Sequence, residues 1–345
     1  MNTYATFIVI LTISFIINFL INRLPIFRDK KRTSAHKSFT GIKSMPPFSG
    51  GIIFLLTLFI FLPNDQYLLK LFCLVIFLIG IFSDIQILKS PNLRFFLQLL
   101  TVVIFVILSQ TFITSIKIDF LDMILENFLI KFFFTTFCIL ILINGTNFMD
   151  GVNTLAIGYY MLILFFLQNV YLILGDQTIP THIFDILIFL LVSFFILNFL
   201  NLMYLGDNGA YLISFIIGVW LINLSENHTS VSPYYIVNLL WYPAYENLFS
   251  ILRKLKNKGS PLQPDNLHLH QLIFIFLKKK RLSSINNLTG LVIVIYNAII
   301  FLISIPYMNE TKTILTIIII NVLLYIYLYN KLASNLLKKD NSNRN

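Results

Sequence analysis

Charged residues are scarce in this chain: 12% of 345 residues, with only 15 Asp and Glu. A soluble globular domain carries about 25% charge. That shortfall, with 57% hydrophobic residues and a mean hydropathy of +0.83, excludes the soluble class. Cysteine is nearly absent as well. Cys73 and Cys138 both fall inside apolar stretches, with no Cys or His spaced for metal binding, so they read as buried thiols and not as metal ligands. Internal repeats are also lacking, which argues against a transporter built from paired halves.

Long apolar runs are what the chain does have. A hydrocarbon core of about 30 Å takes roughly 20 residues to cross, and such stretches recur from end to end, leaving no room for a soluble domain. Eleven spans are expected, at about 4–21, 48–63, 66–82, 95–111, 127–144, 154–174, 183–201, 208–224, 234–250, 287–306 and 312–331. The fold class expected is all-α: a polytopic integral membrane protein of about eleven transmembrane helices, forming one domain over residues 1–345. The first stretch is too long for a typical signal-peptide core and no small-residue cleavage site follows it, so it is expected as a retained span. The Phe and Ile runs, with Trp220 and Trp241, are expected to face lipid or the interface.

Lys and Arg mark cytoplasmic loops because they resist translocation. Of the 25, 21 fall in one set of loops: about 22–47, 83–94, 145–153, 202–207, 251–286 and the tail from 331. The other set holds only Lys70, Lys117, Lys131 and Lys312. The N-terminus is therefore expected outside and the tail, 332–345, in the cytoplasm. The net charge of +10 is largely this topology signal, with attraction to anionic lipid or a phosphate-bearing substrate as a secondary contribution. Nucleic acid is not expected as a partner, since the basic residues lie between spans and not on a docking domain.

On this topology Asp84, Asp150, Asp207, His268 and His270 all fall on the cytoplasmic side. Asp119, Asp122, Asp176 and Asp185 lie on or near the other, so acids alone decide nothing. Local context separates the inner set. "MDGVN" around Asp150 and "LGDNGA" around Asp207 put glycine and small polar residues beside the acid, which permits tight turns and close approach of backbone to a ligand.

Three carboxylates converging at a membrane surface repel one another unless a cation sits among them, and Mg²⁺ with oxygen ligands is the usual partner of a phosphate-bearing substrate. Metal-assisted phosphoryl chemistry is the expectation. The loop 251–286 adds Arg253, Lys254, Lys256 and Lys258, then two prolines, then His268 and His270. In an extended segment those two histidines point to the same side and can reach one ligand, which suits a diphosphate. Solvated loop histidines are the plain alternative. Zinc is disfavoured, because four ligands are normally needed and no cysteine lies nearby.

Four stretches in order, "GIFSDIQILKSPNLRFFLQ", "NGTNFMDGVNTLAIG", "MYLGDNGAYLISFIIG" and "PDNLHLHQLIF", with a weaker fifth, "HKSFTGIKSMPPFSGGIIF", resemble the motifs of the polyprenyl-phosphate N-acetylhexosamine-1-phosphate transferases. These belong to glycosyltransferase family 4, and the likeness is to the branch of undecaprenyl-phosphate GlcNAc-1-phosphate transferases. The resemblance runs from about residue 23 to 285, and the family's eleven-span layout extends it to the whole chain. It implies a single catalytic domain in the bacterial inner membrane, a UDP-N-acetyl-sugar and undecaprenyl phosphate as substrates, and Mg²⁺ or Mn²⁺ as cofactor. Pathways of the O-antigen and teichoic-acid kind are implied too. Oligomeric state stays open, a homodimer being one option.

Matched position by position, the resemblance implies that Asp207 binds the metal directly and that Asp84 lies close to the metal and the lipid phosphate. Asn147, Asp150 and Asn153 would line the nucleotide-sugar side. His268 and His270 would hold the diphosphate with Arg253 nearby. The peptidoglycan branch carries three histidines in a row, so "HLHQ" argues against it. Departures stand at Ser83, where the family usually has the first Asp of a pair, and at Phe48 and Ser49, where a basic residue commonly precedes Gly50-Gly51. Three rivals remain: a transporter, whose site would lie near the bilayer midplane; a CDP-alcohol phosphotransferase, whose Asp-x-x-Asp-Gly-x-x-Ala-Arg run is missing; and a scaffold with a decayed site.

Overall fold

The computed structural model describes residues 3–28, 46–256, 258, 267–280 and 284–342. The His36 end of the weakest motif and Pro264–Asn266 of the histidine motif lie outside the described residues. The helices are α1 (Thr3–Asn22), α2 (Gly50–Phe61), α3 (Tyr67–Asp84), α4 (Pro91–Ser109), α5 (Asp119–Leu125), α6 (Phe128–Met149), α7 (Leu155–Leu174), α8 (Thr181–Phe199), α9 (Gly206–Asn227), α10 (Pro233–Lys256), α11 (Leu269–Lys279), α12 (Ile285–Ser304) and α13 (Thr311–Ser342). Each of the eleven expected spans coincides with a helix; α5 and α11 are short additions.

Among the described residues, nine helices are long and apolar enough to cross a membrane. The protein is thus an all-helical, polytopic membrane protein. The two further expected spans depart for separate reasons. Helix α2 has 12 residues, about 18 Å at 1.5 Å per residue. Helix α10 is long, but it carries Pro243, Glu246 and, in its last turn, Arg253, Lys254 and Lys256.

Helix α9 runs through the middle of the bundle, packed against α2, α3 and α6 and buried on nearly every side. Lipid tails give helices no hydrophobic reason to associate, so membrane bundles depend on small residues that let backbones touch. Gly80 does this for α3, where a Cβ would stand 2.4 Å from the Asn208 Cα. Gly51 does it for α2, where a Cβ would meet the Gly209 amide at 2.5 Å.

Helix α10 is held in the same way. Pro243 has no N–H to give the carbonyl of Leu239, and the Tyr159 hydroxyl of α7 donates to that carbonyl instead at 2.9 Å. On the opposite flank Gly145 of α6 faces the Pro243 carbonyl, which a Cβ would approach to 2.1 Å.

The outer faces of α12 and α13 expose Ile295, Ile299, Leu302, Ile319 and Leu323, a surface suited to lipid and not to water. The tryptophans correct the expectation: Trp220 and Trp241 are buried, at 2% and 4% exposure. Trp220 packs edge-on to Phe184, and Trp241 donates Nε1–H to Asn297 Oδ1 at 2.8 Å. Their rings fill space between helices, which a hydropathy pattern does not distinguish from facing lipid. Cys73 is buried and Cys138 half-buried, both as free thiols.

At the end of the bundle away from the three motif acids, the loops are clasped by polar contacts. Lys117 Nζ donates to the carbonyls of Thr229 and Val231, and Thr114 donates through its amide to Glu226. His228 Nε2 lies 2.6 Å from Asp176 Oδ2. Burial pushes the Asp176 carboxyl up, but the hydrogen bonds from His228 and Thr178 outweigh it and hold the carboxyl below its usual range.

Two outcomes follow. Gly145→Ala should push α6 and α10 apart at a cost of about 1–3 kcal/mol, read as a lower thermal midpoint in detergent. Because the Asp176 pKa is lowered on folding, its contribution is complete above the ordinary carboxyl value of 3.8 and fades as pH falls through the lower folded value. The stability gap between wild type and Asp176→Asn should therefore close as pH falls below about that value, measured by unfolding across acid pH.

Candidate active site

The acids named by the sequence meet where helix starts and helix ends come together. The first amides of an α-helix have no partner within it, and at the buried start of α9 they are taken by carboxylates from two other helices. Gly206 N–H donates to Asp150 Oδ2 at 3.2 Å. Asp207 N–H and Asn208 N–H donate to Asp84 Oδ1 and Oδ2, each at 3.0 Å. The Asn208 side chain adds a 2.5 Å bond to Asp84 Oδ2. Carboxylates at a helix N-terminus also gain from its dipole. Gly206 is required in this turn: its φ is +76°, and a Cβ would stand 2.8 Å from Asp84 Oδ2.

Asp207 is anchored by its backbone and keeps its side chain for other partners. Its Oδ2 accepts from the Ser83 hydroxyl at 2.5 Å, from Arg94 Nη1 at 3.0 Å and, at 3.4 Å, from the Tyr211 hydroxyl. Arg94 also donates to Ser83 Oγ at 2.6 Å, which closes a three-membered network. The α3–α4 turn delivers Arg94 to this point. Ser90 caps α4 by accepting from Leu93 N–H, Pro91 sits in the first turn, and Arg94 follows one turn on.

Helix α6 runs to Met149, five residues past the expected span, so "NGTNFM" is helix and only the following residues turn. Asn147 faces Tyr211, with Nδ2 3.5 Å from its hydroxyl. Asp150 closes α6, its amide bonded to the Thr146 carbonyl. Asn153 makes its contacts in a different direction. Its Nδ2 lies 2.7 to 3.1 Å from the Asn198 carbonyl, Asn201 Oδ1 and Asn287 Oδ1, and the next residue, Thr154, takes φ +68° with its amide on Asn198 Oδ1. This asparagine cluster ties the turn to the end of α8 and the start of α12.

His268 and His270 are fully buried, their rings parallel at 5.6 Å between centroids. They reach the acid side through Gly151, where a Cβ would stand 3.0 Å from His270 Nε2. Phe148 packs on His268 at 4.8 Å, and the Lys254 ammonium lies 5.6 Å from the Phe148 ring. Arg253 points elsewhere: it bonds the Leu267 carbonyl and the Tyr329 hydroxyl, pinning the start of the histidine segment to α13.

The structure thus brings Asp84, Asp150 and Asp207 together, connects Asn147 through Tyr211, and sets the histidine pair against the turn that carries Asp150. Asn153 and Arg253 make their described contacts outside that group. Sequence reasoning missed Arg94 and Tyr211, which are joined to Asp207 only by folding. It also missed Glu246, whose Oε1 lies 2.9 Å from His268 Nδ1. Its signal was available, since Glu246 and Asp185 are the two acids within the expected spans.

Residues 67–225 match the family described as Glycosyl transferase family 4. That segment encloses Asp84, Asn147, Asp150, Asn153 and Asp207 and ends before the histidine pair. The undecaprenyl-phosphate alpha-N-acetylglucosaminyl 1-phosphate transferase of Salmonella typhi is 26% identical over 241 residues, 66% of this chain and 65% of the relative. The Thermotoga maritima protein of the same name is 25% identical over 259 residues, 74% of this chain and 77% of the relative. A probable undecaprenyl-phosphate N-acetylglucosaminyl 1-phosphate transferase of Bacillus subtilis is 24% identical over 216 residues, 61% of this chain and 58% of the relative. The chain spans just under two thirds of the length of the Salmonella relative. The matched segment lies inside the stretch over which the motifs resemble that family.

Asp84→Ala should leave the Asp207 and Asn208 amides at the start of α9 without acceptors, while the Asn208 side chain keeps its bond to the Phe48 carbonyl, at a cost of about 1–3 kcal/mol. The expected result is a lower thermal midpoint together with faster hydrogen exchange at the Asp207 and Asn208 amides; unchanged exchange at those two amides would contradict the capping role.

Proposed function

We propose that this protein transfers an N-acetylhexosamine 1-phosphate from its UDP-sugar to undecaprenyl phosphate, releasing UMP and so beginning a lipid-linked envelope glycan of the O-antigen kind. The observation that carries the reading is the division of labour among the three acids. Asp84 and Asp150 hold the backbone of the 206–208 turn, while the Asp207 carboxylate is partly exposed beside Arg94. The activity for which the relatives are named supports the same reaction. The Lys and Arg distribution supports a site on the cytoplasmic face of the cell membrane, with the N-terminus outside.

The donor set suits Mg²⁺, or Mn²⁺ in its place. Among the described residues Asp207 Oδ1 accepts no hydrogen bond, and no group of three or more His, Cys, Asp or Glu is arranged to hold a metal. Mg²⁺ is commonly bound through one or two carboxylates plus substrate phosphates and water, and Asp207 offers that kind of attachment. Asp84, implied as a neighbour of the metal, directs both oxygens to α9 and would act by holding Asp207 in place. When bound there, the ion supplies charge neutralisation across the diphosphate.

In the reaction an oxygen of the lipid phosphate attacks the phosphorus bonded to the sugar. The bond from that phosphorus to the bridging oxygen breaks, and UMP leaves with that oxygen. A phosphate monoester has a second pKa of about 6, so the attacking group is already largely a dianion at neutral pH and needs no protein base. Ser83 is therefore compatible with turnover: it donates to Asp207 and withholds no proton from the nucleophile. Arg94 sets a fixed positive charge beside Asp207, while His268, His270 and Lys254 supply donors on the side of Asp150, where charge develops on the leaving UMP.

Purified protein given undecaprenyl phosphate, Mg²⁺ and a panel of UDP-N-acetyl-sugars should release UMP with at least one donor. Asp207→Asn should lower that rate roughly 10²–10³-fold, and a chelator should stop it until Mg²⁺ is restored. Full activity in Asp207→Asn would overturn the assignment.

A further inference from the structure

An acid inside a membrane bundle is costly and calls for a named partner. Glu246, on α10, is 0% exposed. Its Oε1 accepts two hydrogen bonds, from His268 Nδ1 at 2.9 Å and from the Leu269 amide at 3.2 Å. Leu269 is the first residue of α11, so the carboxylate also sits at that helix's positive end. Gln271 fixes the same point from the other side: its Oε1 accepts from the His268 amide at 3.1 Å. Backbone and ring of His268 are thereby both specified, and Nε2 lies across the ring from Glu246.

Stability alone is a poor account of this arrangement. Both bonds to the histidine segment fall on Oε1, and Oε2 is left beside the buried Tyr242 and Tyr325 hydroxyls with no hydrogen bond of good geometry. Replacing a buried charged pair by apolar side chains is often neutral or stabilising. Orientation of the imidazole is what such a group provides, as carboxylates do for histidines that hold ligands elsewhere.

We propose that Glu246 is a positioning residue for donor binding: by holding His268 through Nδ1 and the first amide of α11 through the same oxygen, it aims His268 Nε2 at the diphosphate of the UDP-sugar. What His268 touches rests on the transferase reading above; the Glu246–His268 contact does not. The aim is set by the surroundings of the pair. Phe148 packs on the His268 ring, His270 lies parallel to it, and His270 in turn abuts Gly151, next to Asp150.

The test compares Glu246→Leu, Glu246→Gln, His268→Ala and the double variant Glu246→Leu/His268→Ala by UMP release. Glu246→Leu should lower kcat/KM for the UDP-sugar about tenfold to a hundredfold, with KM for undecaprenyl phosphate unchanged. Glu246→Gln, whose carbonyl oxygen can accept both bonds, should stay within a few-fold of wild type. Because Glu246 acts through His268, adding Glu246→Leu to His268→Ala should cost nothing more. Additive losses, a Gln variant no better than Leu, or wild-type turnover in Leu would each overturn the proposal. A second readout is independent of turnover. In ¹⁵N-histidine-labelled protein, the His268 Nδ1–H signal, assigned by its loss in His268→Ala, should persist in Glu246→Gln and disappear or shift in Glu246→Leu. An unchanged signal in Leu overturns the contact itself. If wild type releases no UMP with any donor while the signal behaves as expected, the transferase reading fails and the contact stands.

Discussion

A helix that begins inside a protein must find acceptors for amides that its own carbonyls cannot serve, and a membrane bundle has little water to lend. At the start of α9 the acceptors are carboxylates from the ends of α3 and α6. Three consecutive amides, at 206, 207 and 208, go to Asp150, Asp84 and Asp84. The geometry around Asp207 depends on this demand. The glycine contacts of α2 and α3 with Asn208 bring those helices close enough to deliver Asp84, and the asparagine cluster at 153, 198, 201 and 287 fixes the turn that delivers Asp150.

The same arrangement settles the repulsion that three nearby acids would otherwise suffer. Two are neutralised in effect by amide dipoles, and the third by the Arg94 guanidinium and the Ser83 hydroxyl. The protein therefore supplies most of the compensation itself, and a serine in place of a fourth acid lightens the load on one arginine. On the far side of the Asp150 turn the pattern reverses: buried imidazoles and Lys254 gather around Phe148. The three acids with Arg94 thus lie on one side of the turn and the two imidazoles with Lys254 and Glu246 on the other, an arrangement suited to holding a diphosphate from both ends under the transferase reading.

Much of this was legible in the sequence. Helices lie at all eleven apolar positions because hydrophobic length is a local property, and the acids beside glycines drew attention because such neighbours are unusual in an apolar chain. What escaped notice was relational. Arg94 follows Asp84 by ten residues, yet its partner is Asp207, and nothing short of the fold joins them. Asp84, expected close to the metal, is also a helix cap, a use that depends on where α9 begins. Trp220 and Trp241 are buried because aromatic rings fill gaps between helices as well as they meet lipid. Glu246 was hidden by averaging, one acid among apolar neighbours, although a lone acid at that depth is the kind of residue that demands a partner.

The shortness of α2 has a consequence for the membrane itself. A helix of about 18 Å cannot match a hydrocarbon core of about 30 Å, and its first turn lies against Asn208, one residue from Asp207. Mismatch of this size is relieved by local thinning of the bilayer or by polar chain dipping into it. Either form of relief would bring polar surface nearer to the acids beside α2 than a full-length span would. Under the transferase reading, a phosphate carried on a long isoprenoid chain would then have a shorter way to rise from the leaflet, because the bundle is short at the place where its acids gather.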